Sequence, residues 1–368
     1  MNNKNEKVNS FSLSILVITL SGAPFWGILT SYLLYNSKGS TPISMLIGYF
    51  LGLIISKVFL SFNDTHKDLI SSKKIQKIYG KFSIVINIIE AALAIFTYIF
   101  LCYRLSSFLS SQYLIETPDI YFYILILALT FYIANQGIET LTRVTIISIY
   151  VAIAIFAFDY INLFKEINFN NFLPIITVNF KSIIKSSIIY ALFSSVPPMF
   201  AMSISKSELT DPENFNKMYY KMYSISFIIL LIAITSTIGV YGINLSSLFD
   251  YPLYTVLKKI EIFSFLDSIE NISVMLWILY SINAASAVLL SIFNNLKEAL
   301  NLDKKKTKYF KVLTMILILI ITILFYKKNS YIETIEYIKY PIYVTFILFM
   351  LTFISLIIYK LKPNKKRT

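Results

Sequence analysis

Apolar residues run in long stretches along this chain, separated by short polar segments rich in lysine. A helix needs about 20 mostly apolar residues, each rising about 1.5 Å, to cross the ~30 Å hydrocarbon layer of a bilayer. Ten such stretches are read, over residues 11–35, 43–60, 82–105, 120–134, 144–158, 183–204, 223–243, 272–296, 312–325 and 340–359. They predict an all-α integral membrane protein with ten transmembrane helices. The ninth stretch is short and tolerates little tilt. Segment 250–267 is too polar to span, and Tyr254, Val256, Leu257, Ile260 and Ile262 within it predict an amphipathic piece lying at the membrane interface. A basic start and Ser21-x-Ala23 also fit a cleavable signal peptide. The apolar character continues through Phe25-Trp26-Gly27-Ile28-Leu29, so the first run is read as a span.

Two of the ten runs are interrupted near the middle, by Ser21-Gly22-Ala23-Pro24 and by Ser194-Ser195-Val196-Pro197-Pro198. Proline removes a backbone donor and clashes with the carbonyl four residues back, so a helix does not pass through it undisturbed. The interruptions fall in the first and sixth spans, the first of each set of five. This predicts a 5+5 inverted repeat with broken helices 1 and 6, the first repeat over 11–158 and the second over 183–359. A short tail, 1–10, precedes the ten-helix domain at 11–359, and a basic tail, 360–368, follows it.

Composition agrees with this class: of 368 residues 57% are hydrophobic and 14% charged, against about a quarter charged in soluble domains. A formal charge of +13 could suggest nucleic acid, but the basic residues sit in short loops between apolar runs. That distribution is a topology signal facing anionic lipid, and no nucleic-acid partner is expected. With the N-terminus inside, 22 basic residues fall on the cytoplasmic side and 10 on the other, so both termini are expected in the cytoplasm.

The single cysteine, Cys102, reads as a small packing residue. The single histidine, His66, lies in a lysine-rich loop with no second ligand to complete a metal site. Phosphate-loop, dinucleotide and metalloprotease motifs are absent from the sequence. Hydrolytic or ATP-driven chemistry is therefore not expected, and no catalytic residue, metal or cofactor is assigned. Binding, transport or sensing remains.

The candidate binding residues cluster at the breaks. Beyond Ser21, Gly22, Ala23 and Pro24, backbone amides from Phe25 to Ile28 would carry partial positive charge and could hold a carboxylate without a basic side chain. Carbonyls and hydroxyls at Ser194, Ser195, Val196 and Pro197 could accept from an ammonium group. Together they suit a zwitterion such as an amino acid, although each proline alone could simply kink a packed helix. Glu90, in the third span, is costly in hydrocarbon and is a functional candidate by default; pairing with Lys57 is the plainer alternative. Asn87 and Tyr98 lie near it. In the eighth span Ser281, Asn283 and Ser286 form a polar patch that either lines a cavity or makes a close helix–helix contact.

The plan of ten spans broken in the first and sixth resembles the amino acid/polyamine/organocation transporter superfamily. Shorter stretches resemble the B subunit of bacterial spore germinant receptors. They are Gly137-Ile138-Glu139-Thr140-Leu141-Thr142-Arg143, Asn171-Phe172-Leu173-Pro174-Ile175, Tyr251-Pro252-Leu253 through Ile260-Glu261-Ile262, Leu266-Asp267-Ser268-Ile269-Glu270, and Trp277. The resemblance runs roughly from Ser10 to Tyr359. It implies a subunit of the spore inner membrane that senses a small nutrient, often an amino acid, beside a larger membrane A subunit and a lipoprotein C subunit. It places the ligand between spans one, three, six and eight. A self-sufficient proton- or sodium-coupled amino acid permease is the alternative. The bulky Phe25 and Trp26 and the double proline depart from the pattern and imply a tight or apolar pocket.

Overall fold

The computed structural model describes residues 8–25, 29–260, 270–328 and 338–361. Trp26, Gly27 and Ile28, the motif residues within 261–269, and the tails 1–7 and 362–368 lie outside them.

The described chain is almost wholly helical. In order come α1 (Ser10–Ser14), α2 (Leu16–Pro24), α3 (Thr30–Ser37), α4 (Thr41–Asn63), α5 (Ser71–Tyr79), α6 (Ser83–Gln112), α7 (Asp119–Asn135) and α8 (Ile138–Leu163). Then follow α9 (Phe180–Ser195), a 3-10 segment (Pro197–Met202), α10 (Phe215–Ser246), α11 (Pro252–Leu257), α12 (Glu270–Ala299), α13 (Lys304–Lys328) and α14 (Lys339–Leu361). Eight helical stretches are long and apolar enough to cross a membrane, and Ser10–Pro24 and Asp119–Asn135 are shorter apolar helices. This order follows that of the expected spans. Inside hydrocarbon a backbone must satisfy its own hydrogen bonds, which is why each apolar run becomes a helix. Several helices are longer than the apolar runs that nucleate them: α6 continues to Gln112 and α8 to Leu163.

Polar residues set the helix ends. The Asn179 side chain accepts from the Ser182 amide at 2.9 Å and caps α9. Gly137, at φ 88°, starts α8, and Glu139 pairs with Arg143 one turn into it. Gly242, at φ 75°, kinks α10 near its end. The carbonyl of Gly239, freed by that kink, accepts from the Asn171 side chain at 2.8 Å and from the Asn168 amide at 3.0 Å. The Asn171-Phe172 motif therefore serves to hold the α10 bend.

Burial separates centre from periphery. The most apolar windows of α9 and α12 are 78% buried, against 22% for α8 and α13. Every residue of α2 is buried. The centre is thus α2, α9 and α12, with α4 against α9, and α6, α7 and α8 against α12. Segment 250–260, the described part of 250–267, corrects the sequence expectation. Tyr254, Val256, Leu257 and Ile260 turn into the protein and not towards lipid, while Ile262 lies outside the described residues. The reason is an aromatic bed: the Phe108 ring lies 4.9 Å from Tyr251, 5.3 Å from Tyr254 and 4.5 Å from Trp277.

Residues 8–10, which lead into α1, are held against the loop before α10. Ser10 donates its amide to Asp211 Oδ1 at 2.7 Å, and the Thr210 amide reaches the Val8 carbonyl at 3.1 Å. Beside this clasp the buried Lys206 pairs with Asp64, and Asn216 donates to the other Asp64 oxygen at 2.9 Å.

Candidate functional site

The first break sits in the centre of the bundle. Pro24 has no amide hydrogen to give the Leu20 carbonyl, and α2 ends there. Ser21 Oγ bonds back to the Val17 carbonyl at 2.6 Å and meets Ser226 Oγ of α10 at 2.7 Å. Gly22 leaves a notch that Tyr280 of α12 fills: a Cβ on Gly22 would collide with the phenol. The Tyr280 hydroxyl donates to the Ile18 carbonyl. Phe25 is buried edge-on to Tyr190, with ring centroids 6.3 Å apart. Its amide bonds to the Gly22 carbonyl, and its carbonyl accepts from Thr30 Oγ1 at 2.5 Å. The expected free amide at Phe25 is therefore already used, because the backbone stays helical through that residue.

The second break is complete. α9 stops at Ser195, and Val196-Pro197-Pro198 leads into the 3-10 segment. The two prolines leave the carbonyls of Phe193 and Ser194 without their usual helical donors. The serine hydroxyls are not open acceptors, as expected from sequence, but are turned onto the protein. Ser194 Oγ meets Tyr223 Oη at 2.7 Å, and Ser195 Oγ bonds to the Ala191 carbonyl of its own helix. α2 packs on both α9 and the 3-10 segment, so the two breaks share one interior.

Beside the first break, α2, α6 and α12 enclose a void of about 10 Å³, lined by Ala23, Pro24, Leu101, Arg104, Trp277 and Ser281. That is room for about one water. Arg104 is buried here, 5.4 Å from the Tyr251 ring. In the sequence Arg104 stands at the end of the run 82–105 and is one of the 10 basic residues on the non-cytoplasmic side; α6 continues two turns further and carries it into the interior. A basic side chain thus stands where only backbone amides were expected. The signal that could have found it is the continued helical composition to Gln112. Ser281 Oγ is buried without a partner and faces the same void.

The other sequence candidates go elsewhere. Glu90 accepts from Ser71 Oγ at 3.4 Å and lines a cavity of about 40 Å³ with Asn63, Lys74, Asn87, Met199 and Asn295. It does not pair with Lys57, which is exposed on α4. Lys74 instead donates to the Asn63 carbonyl at 2.6 Å and Oδ1 at 2.9 Å, closing the end of α4. Tyr98 turns to α7, where its hydroxyl meets Thr130 Oγ1 at 2.5 Å. Asn283 turns to α8 and reaches Ser148 Oγ at 3.4 Å.

Residues 9–332 match a family model described as spore germination protein. The chain belongs to the spore germination protein family. No curated protein sequence matches it. Among solved structures, that of Mhp1, a nucleobase-cation-symport-1 family transporter in a closed conformation with bromovinylhydantoin bound, aligns at a TM-score of 0.58 and 12% identity. The alignment covers 95% of this chain and 78% of that one. At that identity the likeness establishes the fold alone, that of a transporter. This member of the spore germination protein family is thus a multi-pass integral membrane protein of permease or germinant-receptor type.

Proposed function

We propose that the chain is the nutrient-sensing subunit of a spore germinant receptor, seated in the spore inner membrane with both termini in the cytoplasm. It binds a small nutrient, an amino acid, between residues 21–25 at the end of α2 and residues 194–197 at the end of α9. It signals to a membrane A subunit and a lipoprotein C subunit to start germination. One observation carries this reading: two proline-broken helices meet in one interior, with the buried Arg104 beside Pro24, in a chain of the spore germination protein family. A guanidinium suits a carboxylate, and carbonyls freed by Pro197 and Pro198 suit an ammonium group. The void beside Pro24 is too small for an amino acid, so binding selects an arrangement in which Tyr280 has left Gly22. A ligand shifts such an equilibrium only by its differential affinity for the two arrangements, which is what a sensor needs.

The test is a thermal-shift screen of the common L-amino acids on protein in nanodiscs, since a ligand of the folded state raises the midpoint by mass action. A hit abolished by Gly22→Leu and weakened by Arg104→Gln supports the site. Hits indifferent to both variants overturn its placement. No hit on the chain or on the complex co-expressed with A and C subunits overturns amino acid sensing.

A coupled permease is the second reading, favoured by the fold likeness to a cation symporter. Accumulation of the ligand in liposomes containing this chain alone would establish the permease. Binding without uptake leaves the receptor subunit.

A further inference from the structure

A second pocket, of about 80 Å³, lies between α2, α8, α10 and α12. Its walls are apolar and aromatic: Ile149, Phe156, Ile229, Leu276, Trp277 and Tyr280. At one end stands Asp159 of α8, only 2% exposed. Its Oδ2 accepts from the Ser273 hydroxyl, and its Oδ1 has no partner. The next residue, Tyr160, also lines the pocket and has a buried hydroxyl without a partner. Among the described residues no lysine, arginine or histidine lies within ion-pair reach of Asp159. The sequence reading ended the fifth span at residue 158 and so left Asp159 outside the membrane run, whereas α8 carries it inside the bundle.

A carboxylate in an apolar membrane interior is costly unless a cation or hydrogen-bond donors meet it. Here one oxygen is met by a serine, and the other has no protein partner in a residue that lines the pocket. The lining chooses among cations. A hard metal ion such as calcium gathers about six to eight oxygen ligands. The oxygens lining this pocket are those of Asp159, Tyr160, Ser226, Ser273 and Tyr280. Three of these are engaged: Ser226 with Ser21, Ser273 with Asp159, and Tyr280 with Ile18. What surrounds the acid is ring surface. Phe156 and Tyr160 lie with ring centroids 4.1 Å apart and planes tilted by 34°, and Trp277 and Tyr280 complete the wall. Aromatic faces attract organic ammonium groups, most strongly where water is excluded.

We infer that this pocket binds the ammonium group of a small primary amine, with Asp159 Oδ1 as its counter-ion, the Tyr160 hydroxyl as a second acceptor and the rings around its alkyl part. The volume limits the guest: a cavity of about 150 Å³ takes benzene, so about half of that takes a short alkyl chain. The inference does not depend on a nutrient binding at the two helix breaks. The pocket does share Tyr280 with the Gly22 notch, so an amine here would bear on the side chain that closes that site.

The probe is n-propylammonium chloride, titrated against protein in nanodiscs, with 1-propanol as a neutral molecule of equal size and sodium chloride as the ionic control. Trp277 lines the pocket and Trp26 is the other tryptophan, so a Trp26→Phe background reports Trp277 emission alone. A saturable emission change and a raised thermal midpoint are expected with propylammonium and with neither control. Asp159→Asn should weaken binding at least tenfold. An equal response to 1-propanol, no saturable response to propylammonium, or undiminished binding in Asp159→Asn overturns the inference. Should Asp159→Asn not elute as a monodisperse protein, Ala152→Phe, which fills the pocket from α8, takes its place. Loss of the response in that variant supports the site, and retention overturns it.

Discussion

Tyr280 of α12 donates its hydroxyl hydrogen to the Ile18 carbonyl of α2 and lies in the notch left by Gly22, one turn along the same helix. The phenol thus bonds α2 at one residue and packs against the absent side chain of another. Gly22 is needed here for close approach, since a Cβ would meet the tyrosine oxygen and ring. Gly22→Ala should therefore push the ring aside and lower stability by about 1–3 kcal/mol, the range for overpacking a filled core. Thermal unfolding in nanodiscs reads this, and an unchanged midpoint would show that the notch is slack.

Tyr280→Phe keeps the ring and removes the donor. The loss of one buried hydrogen bond should cost the closed arrangement about 1 kcal/mol. If ligand binding requires Tyr280 to leave Gly22, that penalty falls on the free state alone, and nutrient affinity should rise about fivefold. An affinity that stays level or falls would separate Tyr280 from the binding step.

The Lys206–Asp64 pair gives a prediction with a pH sign. Burial tends to raise the Asp64 pKa, but hydrogen bonds from Lys206 and Asn216 and the lysine charge outweigh it and hold the carboxyl below its ordinary 3.8. A depressed folded value means stability that is present above pH 3.8 and lost as pH falls through the lower folded value. Asp64→Asn should cost about 2 kcal/mol at pH 7. That is less than a fully buried pair would lose, because 36% of the Asp64 side chain is exposed. The gap between wild type and variant should narrow as pH falls below the ordinary 3.8, and a gap constant with pH there would refute the pair's role.

At the α10 kink, Gly242 and Asn171 should differ in weight. Gly242→Ala forces a side chain into φ 75° and should cost about 1–2 kcal/mol. Asn171→Ala removes only one of two donors to the Gly239 carbonyl and should cost about 1 kcal/mol or less. Equal midpoint shifts would mean that the glycine is not strained in the way its backbone angle implies.

Glu90 faces a cavity shared with the segment following the second break, through Met199, Phe200 and Met202. If the chain is the receptor subunit proposed above, Glu90→Gln should alter the dose dependence of the germination response or the assembly of the receptor. An identical response curve at several pH values would leave the residue as part of the cavity wall.

Some of the candidate site was legible in sequence, and the boundary has a physical cause. The prolines at 24, 197 and 198 announced both breaks, because a missing amide hydrogen is a covalent fact. Glu90 drew notice because a carboxylate amid apolar residues stands out in one dimension. Arg104 and Asp159 did not, because Arg104 is the last residue but one of the run read over 82–105 and Asp159 lies just past the run read over 144–158, whereas α6 and α8 continue and carry both into the interior. Tyr280 could not be singled out among 27 tyrosines, since its role comes from facing Gly22 across more than 250 residues of chain.

What the sequence determined by itself is the class of the protein, the order of its helices and the places where two of them break. These are local consequences of a solvent that cannot hydrogen-bond to a backbone. Tertiary structure alone decided which polar groups remain open to a guest. Ser194 is turned to Tyr223 and Tyr98 to Thr130, whereas Ser281 Oγ and Asp159 Oδ1 have no protein partner and belong to residues that line cavities. A helix presents polar groups on every side, and only the packing of its neighbours settles which find a partner and which are left to bind one.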